Sequence, residues 1–273
     1  MIRKPAVAGT FYPGDKKKLE ETIALLMKRG SGKEEQKNRV KGLILPHAGY
    51  QYSGAVAAQT VYSAELKNTF IILGPNHTGK GKPFSVMTEG AWQTPLGQAQ
   101  IDSALAKEIV SGSRYLKSDT RAHDSEHSIE VLIPFLQFAA GDIKFVPLVI
   151  ARAPKEIYSA IAGDIVRAVK KLDQKDDVLL IASSDMTHYE PQESAEKKDR
   201  YAIEAINSLN AGELLRRVEE QDMTMCGIAP VVIMLEVVKA FGAKEAKLVR
   251  YETSGQATGD YRSVVGYAGM RVN

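Results

Sequence analysis

The chain has 273 residues, of which 44% are hydrophobic and 25% are charged, a composition typical of a globular α/β protein. Its 36 basic and 33 acidic residues are mixed along the sequence and leave a net charge of +3, so no concentrated basic face predicts nucleic-acid binding. The single cysteine excludes an internal disulfide framework and favours a reducing compartment. The sequence shows no signal peptide and no apolar run long enough to cross a bilayer, so we expect a cytoplasmic location without membrane contact.

Hydrophobic periodicity and capping residues predict alternating helices and strands. In chain order they predict a helix over 16–29, a polar linker over 30–39, a strand over 40–45, a helix from Ser53 as its cap to about residue 66, a strand over 69–73 and a weaker strand over 84–87. They next predict helices over 102–111 and 125–139, a strand over 143–150, a helix over 154–172 that opens with Pro154, and a strand over 178–182. The last predicted elements are helices over 193–209, 211–220 and 227–241 and strands over 246–253 and 263–271.

The order of these elements predicts the fold. Continuous apolar strands that alternate with amphipathic helices are typical of a mainly parallel sheet covered on both faces. The last two strands follow each other without a helix between them, which favours an antiparallel edge. We therefore expect a single α/β domain over residues 1–273, built as a three-layer α/β/α sandwich with a mainly parallel central sheet.

Reactive side chains follow three of the predicted strands at the point where each strand ends. His47 comes two residues after the first core strand, and His77 comes four residues after the second. Asp185 and His188 come just after a third buried strand. Because ligands bind beyond the carboxyl ends of strands in open α/β sheets, these side chains predict one functional site. Cys226 adds a thiol at the start of a predicted helix, whose dipole is expected to stabilise the thiolate.

A second histidine-rich segment lies at the start of the helix predicted over 125–139. The spacing of His123 and His127 is that of two zinc ligands on one face of a helix, but His123 precedes the predicted helix, which weakens this pairing. The alternative is a polar cluster that caps the helix. We favour Glu126 and His127 as groups that line the pocket, either behind the ligands or in acid–base roles.

Signatures of several other enzyme classes are absent from the sequence. There is no Gly-x-Gly-x-x-Gly motif after a strand and no P-loop, so neither a dinucleotide nor a nucleoside triphosphate is implied. There is also no Gly-x-Ser-x-Gly nucleophile elbow. A paired-cysteine zinc ribbon is excluded because only one cysteine exists.

Six sequence blocks, taken together and in order, resemble the Memo (mediator of ErbB2-driven cell motility) family. The resemblance runs from about residue 3 to the end of the chain. The blocks are Ala-Gly-Thr-Phe-Tyr-Pro at 8–13, Pro-His-Ala-Gly-Tyr at 46–50, Gly-Pro-Asn-His at 74–77, Glu-His-Ser-Ile-Glu at 126–130, Ser-Asp-Met-Thr-His-Tyr at 184–189 and Cys-Gly at 226–227.

The resemblance implies a fold similar to that of the class III extradiol dioxygenases, whose nonheme iron is held by two histidines and a carboxylate. By resemblance, His47 and His77 are the histidine ligands, and Cys226 stands where those enzymes carry the carboxylate. Asp185, His188 and His127 match other pocket residues of the family. We expect iron(II) as the cofactor, with zinc or copper as alternatives, because a thiolate is a softer ligand than a carboxylate.

These residues leave three kinds of function open. The first is a metal-dependent enzyme, either a dioxygenase-like oxidoreductase or a zinc hydrolase, in which His188 or His127 moves protons. The second is a binding or metal-handling module that uses the same pocket without turnover. The third is a metal-free enzyme with Cys226 as nucleophile, activated by His188.

The sequence says less about the molecules that enter the pocket. A small molecule or a peptide is expected there, and Phe11, Tyr50, Trp92 and Tyr189 are candidates to line it, although such aromatic residues more often pack in the core. The resemblance implies a functional link to an AMMECR1-like protein and a radical-SAM protein, with which prokaryotic relatives are often grouped. Neither partner domain is present in this sequence.

Overall fold

The computed structural model describes residues 1–28 and 37–273, and helices and strands alternate along them. The helices are α1 (Lys16–Lys28), α2 (Tyr50–Tyr62), α3 (Ser103–Val110), α4 (Ile133–Ala140), α5 (Lys155–Lys171), α6 (Gln192–Asn207), α7 (Ala211–Glu220), α8 (Ile228–Ala240) and α9 (Gly255–Thr258). The longer strands are β3 (Gly42–Leu45), β5 (Thr69–Pro75), β7 (Ala91–Thr94), β8 (Gly97–Ile101), β10 (Lys144–Ile150), β11 (Val178–Ser183), β13 (Ala246–Thr253) and β14 (Val264–Val272). The shorter strands are β1 (Ile2–Arg3), β2 (Asn38–Arg39), β4 (Ala64–Glu65), β6 (Phe84–Val86), β9 (Lys117–Ser118) and β12 (His188–Glu190).

One large sheet runs through the molecule in the order β1-β7-β8-β10-β5-β11-β3-β14-β12, and β13 pairs with β14 beside this path. Its centre consists of β10, β5, β11 and β3, which are parallel to one another. The last long strands, β13 and β14, pair antiparallel with each other, and β14 is antiparallel to β3. The predicted mainly parallel sheet with an antiparallel part at its end is therefore confirmed.

Helices cover both faces of this sheet. Helix α2 packs on β3, β13 and β14 and contacts α1 and α4, whereas α8 packs on β3, β5 and β11 and contacts α5 and α7. Every residue of β3 and β11 is buried, because such strands have helices on both sides. Helix α8 is itself apolar on nearly all sides, since it lies between the sheet and its neighbouring helices. This arrangement is the three-layer α/β/α sandwich expected from the sequence.

Two predicted helix starts are wrong. Helix α2 begins at Tyr50 rather than at Ser53, because the Tyr50 N–H donates to the carbonyl of Phe11, which takes the place of a capping side chain. The helix predicted from residue 125 is replaced by turns up to residue 129 and a 3₁₀ turn at Glu130–Leu132, and α4 starts only at Ile133. Pro134 explains the second error, because proline fits only the first turn of a helix.

The hairpin of β7 and β8 was absent from the prediction, although Gly97–Ile101 alternates between buried and exposed side chains. Most of the linker predicted over 30–39 lies outside the described residues, and its last part forms β2, which pairs with β4. Within the part of the chain that the structure describes, no helix has the length and apolar character needed to cross a membrane.

Candidate metal centre

The candidate site lies at the carboxyl edge of three adjacent parallel strands. His47 follows β3, His77 follows β5, and Asp185 follows β11, and β11 lies between the other two strands in the sheet. The loop that leads into α8 brings Cys226 to the same edge, because α8 packs across these strands. The parallel topology thus gathers residues that are up to 179 positions apart in sequence.

The donor atoms of His47, His77 and Cys226 lie within 4.8 Å of one another. His47 Nε2 and Cys226 Sγ are 3.4 Å apart. Donors around a tetrahedral ion lie roughly 3.3–3.8 Å apart, given bonds of about 2.0 Å to nitrogen and about 2.3 Å to sulfur. The group therefore fits one metal ion after side-chain shifts of up to about 1 Å.

Hydrogen bonds behind His47 settle which of its ring nitrogens carries the proton. The Ser183 hydroxyl donates to the carbonyl oxygen of Ser128 at 2.6 Å, so its oxygen is an acceptor for His47 Nδ1 at 2.7 Å. Nδ1 is therefore the protonated nitrogen, and Nε2, which faces the thiol, keeps its lone pair. Burial lowers the pKa of His47 well below its usual value, so this ring is the neutral imidazole that a metal requires.

His77 is held in the same way by a buried carboxylate. Glu126 Oε1 accepts from His77 Nδ1 at 2.9 Å and from the Ser128 N–H at 3.0 Å, and Glu126 Oε2 accepts from the His77 backbone N–H at 2.7 Å. Burial raises the pKa of Glu126, but the hydrogen bonds from His77 and from the Ser128 N–H outweigh it and bring the pKa to about 2. The carboxylate is thus ionised, and because it accepts from Nδ1, the neutral His77 ring has its lone pair on Nε2. Carboxylates behind metal-binding histidines orient the ring in this manner.

Glu126 also belongs to a second group of possible metal ligands, together with His77 and His127, whose donor atoms lie within 4.8 Å of one another. Three hydrogen bonds already occupy its carboxylate, which makes Glu126 an outer partner of the first group rather than a ligand of another ion. Glu126 therefore lies behind the possible ligands, as one of the two roles considered from the sequence had it, but it does not itself line the cavity.

We expect Glu126→Gln to weaken metal binding by about 10–100-fold, the usual effect of losing a partner behind a ligand. The amide has one acceptor oxygen and no charge, so it cannot hold His77 Nδ1 and both backbone N–H groups. Competitive titration of the metal against a chelator measures this change.

Glu108→Gln is the control. Both carboxylate oxygens of Glu108 also accept hydrogen bonds, from Arg167 at 3.0 Å and from Lys171 at 2.9 Å, but Glu108 lies on α3, outside the cavity. Its loss is expected to leave the metal affinity unchanged. Equal metal affinity in Glu126→Gln and wild type would contradict the assigned role of Glu126.

Asp185 and Cys226 share a buried, polar corner of the site. Asp185 Oδ1 accepts from the His47 backbone N–H at 2.8 Å, and its Oδ2 lies 4.0 Å from His47 Nε2. Burial raises the pKa of Asp185 to about 7. The Asp185 N–H donates to Cys226 Sγ at 3.2 Å. The Asp185 carboxyl can therefore take up or release a proton near neutral pH.

The prediction that the helix dipole stabilises the Cys226 thiolate is wrong for the metal-free protein. Helix α8 begins at Ile228 with Gly227 as its cap, so Cys226 precedes the helix. Burial, followed by the charge of Asp185, raises the pKa of the thiol far above its usual value. The imidazole within hydrogen-bonding distance of Sγ is His47 rather than His188. These contacts argue against a metal-free cysteine nucleophile and leave the thiol dependent on a nearby cation for ionisation.

His127 and His188 complete the histidines around the site. The His127 ring stacks on His77, with centroids 4.8 Å apart and 18° between the planes, and it also contacts His47. His188 Nδ1 lies 2.8 Å from the carbonyl of Met186, so it carries the proton and leaves Nε2 as a base. Burial lowers the pKa of both rings.

His123 does not join His127. It is fully buried outside the pocket, with its ring 5.9 Å from that of Trp92, and burial lowers its pKa to about 3. The i, i+4 zinc pair considered from the sequence does not form, because residues 123–129 are turns rather than helix. Trp92 and Tyr50 are also core residues, with Trp92 against Phe145 and Tyr50 stacked on Phe135.

The site has one cavity of about 870 Å³, which lies within the roughly 300–1,000 Å³ common for small-molecule sites. Its walls include the six side chains that the sequence singled out for catalytic or metal roles, namely His47, His77, His127, Asp185, His188 and Cys226. Phe11 and Tyr189 also line it, and the Phe11 ring lies 4.9 Å from that of His127.

The N-terminal segment reaches the cavity because a buried carboxylate anchors it. Glu130 accepts hydrogen bonds from Arg3, from the Tyr12 hydroxyl and from the backbone N–H groups of Ala6 and Val7. These contacts fix residues 3–12 against the block that carries Glu126 and His127. Sequence reasoning missed this role of Glu130, and also the acceptor role of Ser183, although both residues lie in or beside the motifs that it had identified.

The loop that carries Asp185 and His188 is fixed by a second buried carboxyl, Asp199 on α6. Asp199 Oδ1 accepts from the Thr187 N–H at 3.0 Å, and Oδ2 accepts from the Tyr251 hydroxyl at 2.7 Å. The loop is also hydrogen-bonded to Gly266 of β14 through the Met186 N–H. The side chains of this loop are thus held by rigid elements on two sides.

Asp199 is expected to make stability depend on pH, because burial raises the pKa of its carboxyl in the folded protein. In the unfolded chain this carboxyl ionises near pH 3.9. Between that value and the raised folded pKa the folded state binds more protons, so stability falls as the pH rises through this window.

The Asp199→Asn variant lacks this ionisable group, so its stability does not fall in this window. Its free energy of unfolding therefore increases relative to that of wild type as the pH rises from 4 to 7. The expected gain is about 1.4 kcal/mol for each unit by which the folded pKa is raised. Urea unfolding at a series of pH values measures it, and parallel pH profiles of variant and wild type would contradict the prediction.

The fold and the site define a class of protein: a three-layer α/β/α protein with a possible His/His/Cys metal site at the carboxyl edge of its parallel strands. The chain belongs to the family described as Memo-like protein, which matches residues 3–271. The resemblance seen in the six sequence blocks is thereby confirmed.

Relatives and a solved structure agree with this assignment. A MEMO1 family protein of Methanopyrus kandleri is 42% identical over 280 residues, which cover 99% of this chain and 98% of the relative. One from Sulfurisphaera tokodaii is 45% identical, with 99% of both chains covered, and one from Aquifex aeolicus is 42% identical, with 98% of both covered. The crystal structure of an uncharacterized Escherichia coli K12 protein matches with a TM-score of 0.55 over 85% of this chain and 100% of that chain. Its 14% sequence identity means that the similarity shows the fold alone.

Proposed function

We propose that this Memo-like protein binds one metal ion with His47, His77 and Cys226 and uses it as a dioxygenase-like oxidoreductase on a small molecule. The observation that carries the proposal is the state of the two imidazoles. Both have Nδ1 engaged by an acceptor of the protein, Ser183 or Glu126, and both keep the Nε2 lone pair. Histidines prepared in this way, next to a thiol, are typical of a metal centre rather than of a packed core.

Iron(II) is the proposed ion, and zinc and copper are the alternatives. Two histidines and one further ligand leave open positions for substrate, as nonheme iron oxygenases and catalytic zinc sites both require. The thiolate supports zinc or copper more strongly than the carboxylate of a dioxygenase would. A thiol ligand also needs a reducing compartment, which supports a cytoplasmic location.

A bound iron would supply Lewis acidity and would relay electrons from the substrate, which is oxidised, to dioxygen, whereas zinc would supply Lewis acidity alone. The residues around it are suited to proton transfer. His188 lines the cavity and has Nε2 available as a base, and Asp185, with its pKa near 7, can pass a proton on. His127 lies over His77 and is proposed to bind or protonate the substrate. The Phe11 ring packs against that of His127, with centroids 4.9 Å apart.

A binding or metal-handling module is the second candidate function. It is favoured by Tyr189, which lines the cavity, is 78% exposed and adopts a left-handed backbone with φ of 60°. An exposed aromatic ring held in a strained conformation at a pocket mouth is a common contact for a peptide or partner. Under this proposal the ligand is a peptide, and an AMMECR1-like or radical-SAM protein is the candidate partner.

Metal analysis of protein purified without chelators, under nitrogen, tests the proposal. We expect about one equivalent of metal per chain, as a single three-ligand site implies. Oxygen uptake with a catechol then separates the two candidates, because an oxygenase consumes oxygen in proportion to substrate and a binding module does not. Protein with no metal and no affinity for iron(II), zinc or copper would refute the metal centre, and with it both the oxidoreductase and the metal-handling role.

A further inference from the structure

A fourth strand of the sheet contributes a charged side chain to the same cavity. Arg152 lies two residues after β10 ends, and β10 pairs with β5, the strand that precedes His77. Arg152 is exposed and lines the cavity together with His77 and Cys226. Ligands bind beyond the carboxyl ends of parallel strands, and Arg152, like the histidines, lies at such a strand end.

The guanidinium of Arg152 has no acidic partner. Among residues 1–28 and 37–273, no carboxylate oxygen lies within 4.0 Å of it, and its recorded hydrogen bond is to the carbonyl of Met225 at 3.3 Å. The neighbouring backbone is fixed, because the Ala153 N–H donates to the Tyr158 hydroxyl at 2.7 Å. Met225 directly precedes Cys226, so this hydrogen bond ties the arginine to the loop that carries the thiol, and most of its five donors stay free.

The other side chains of the cavity do not neutralise this charge. Asp185 is the one acidic residue among the described residues that line the cavity, and it is only 5% exposed and occupied by the His47 backbone N–H. The remaining polar lining carries no acidic group and includes four histidines, and a metal cation would add positive charge. A cavity with this balance of charge favours an anionic ligand.

We propose that Arg152 binds the oxyanion group, a carboxylate or a phosphate, of a small molecule whose other end reaches His47, His77 and Cys226. The guanidinium is planar and pairs with such groups through two hydrogen bonds, which makes it selective for them. The inference rests on the proposed function for the metal end of the ligand, whereas the anion end depends on Arg152 alone. The substrate class is thus an organic acid or a phosphorylated compound rather than a neutral one.

The anion end can be tested without metal. The Nε–Hε signal of Arg152 in NMR spectra, assigned by its loss in Arg152→Met, is followed during titration of the metal-free protein with benzoate, phenyl phosphate and neutral benzamide. We expect saturable shifts with benzoate or phenyl phosphate and none with benzamide, and the stronger of the two anions identifies the source of the oxyanion. Absence of a shift with both anions would overturn the proposal.

The complete ligand is tested on protein loaded with cobalt(II) under nitrogen. Titration with 4-methylcatechol and with 3,4-dihydroxyphenyl acids of increasing chain length, together with the corresponding phosphonate, compares neutral with anionic probes. The best anionic probe is expected to bind about tenfold tighter than 4-methylcatechol, as a charge-assisted pair at a partly exposed site allows. This gain should be lost in Arg152→Met, retained in part in Arg152→Lys and reduced by salt.

Arg114→Met is the matched control, because Arg114 is also exposed but lies against Tyr115 outside the cavity. It should keep the full preference for the anionic probe. An equal preference in Arg152→Met and wild type would overturn the proposal. If cobalt fails to bind at all, the metal function is refuted, and the metal-free titration still decides the role of Arg152.

Discussion

A double variant, His47→Ala with His77→Ala, is expected to lose essentially all bound metal while the fold is retained. Removing one partner behind a ligand already weakens metal binding by about 10–100-fold, and removing two ligands leaves only Cys226. Because burial raises the pKa of this thiol, a lone Cys226 is protonated and a poor ligand. Elemental analysis should show a fall from about one equivalent to below about 0.1, well beyond the effect of a lost outer partner.

Cobalt(II) titration adds a spectroscopic measurement of the same loss. The thiolate-to-cobalt absorption of the wild type should be absent from the double variant. His188→Gln is the control, since His188 lines the cavity but is not in the group with His47 and Cys226. It should retain the metal and the absorption band. Loss of metal in His188→Gln but not in the double variant would mean that the ligands have been assigned wrongly.

The strands of the central sheet could be predicted because each is identified by the residues of its own segment. The apolar runs that became β3, β5, β10 and β11 are buried on both faces, so their sequence pattern alone identifies them. The start of α2 could not be predicted in this way, because the Phe11 carbonyl that receives the Tyr50 N–H is remote in sequence. The start of α4 could have been predicted, since Pro134 forbids the helix that was extended across it.

Part of the candidate site could likewise be predicted from the sequence. The positions of His47, His77 and Asp185 could be predicted because each follows a strand, and parallel topology places the carboxyl ends of these strands at one edge of the sheet. The protonation states of these side chains could not be predicted, because they depend on hydrogen-bond partners that the spacing of residues in the sequence does not reveal. Ser183, the partner of His47, is an example. The raised pKa of Cys226 was missed because burial outweighs the helix dipole, and burial depends on how α8 packs.

Arg152 was overlooked for a different reason. It satisfies the strand-end rule that identified the histidines, but a single arginine in a loop is ordinary in a sequence with 36 basic residues. What distinguishes it is the lack of an acidic partner inside a cavity, and that property belongs to the three-dimensional arrangement.

A Gly227→Ala variant is expected to disrupt the site without touching a ligand. A Cβ atom at Gly227 would lie 2.2 Å from the Ser183 carbonyl oxygen and 2.4 Å from Ser184 Cβ, far closer than packed atoms can approach. The loop before α8 must therefore move away from β11 and take Cys226 with it. We expect a loss of at least about 2 kcal/mol in the free energy of unfolding, as for other overpacked sites.

The same movement separates Cys226 Sγ from His47 Nε2, so cobalt should bind more weakly and with a diminished thiolate absorption band. Gly163→Ala is the matched control, because Gly163 lies on the exposed face of α5 and nothing is within 4 Å of an added Cβ. Alanine should stabilise this helix by about 0.5–1 kcal/mol and leave the absorption unchanged. If Gly227→Ala keeps wild-type stability and an unaltered cobalt spectrum, the close approach of the Cys226 loop to β11 does not position the thiol.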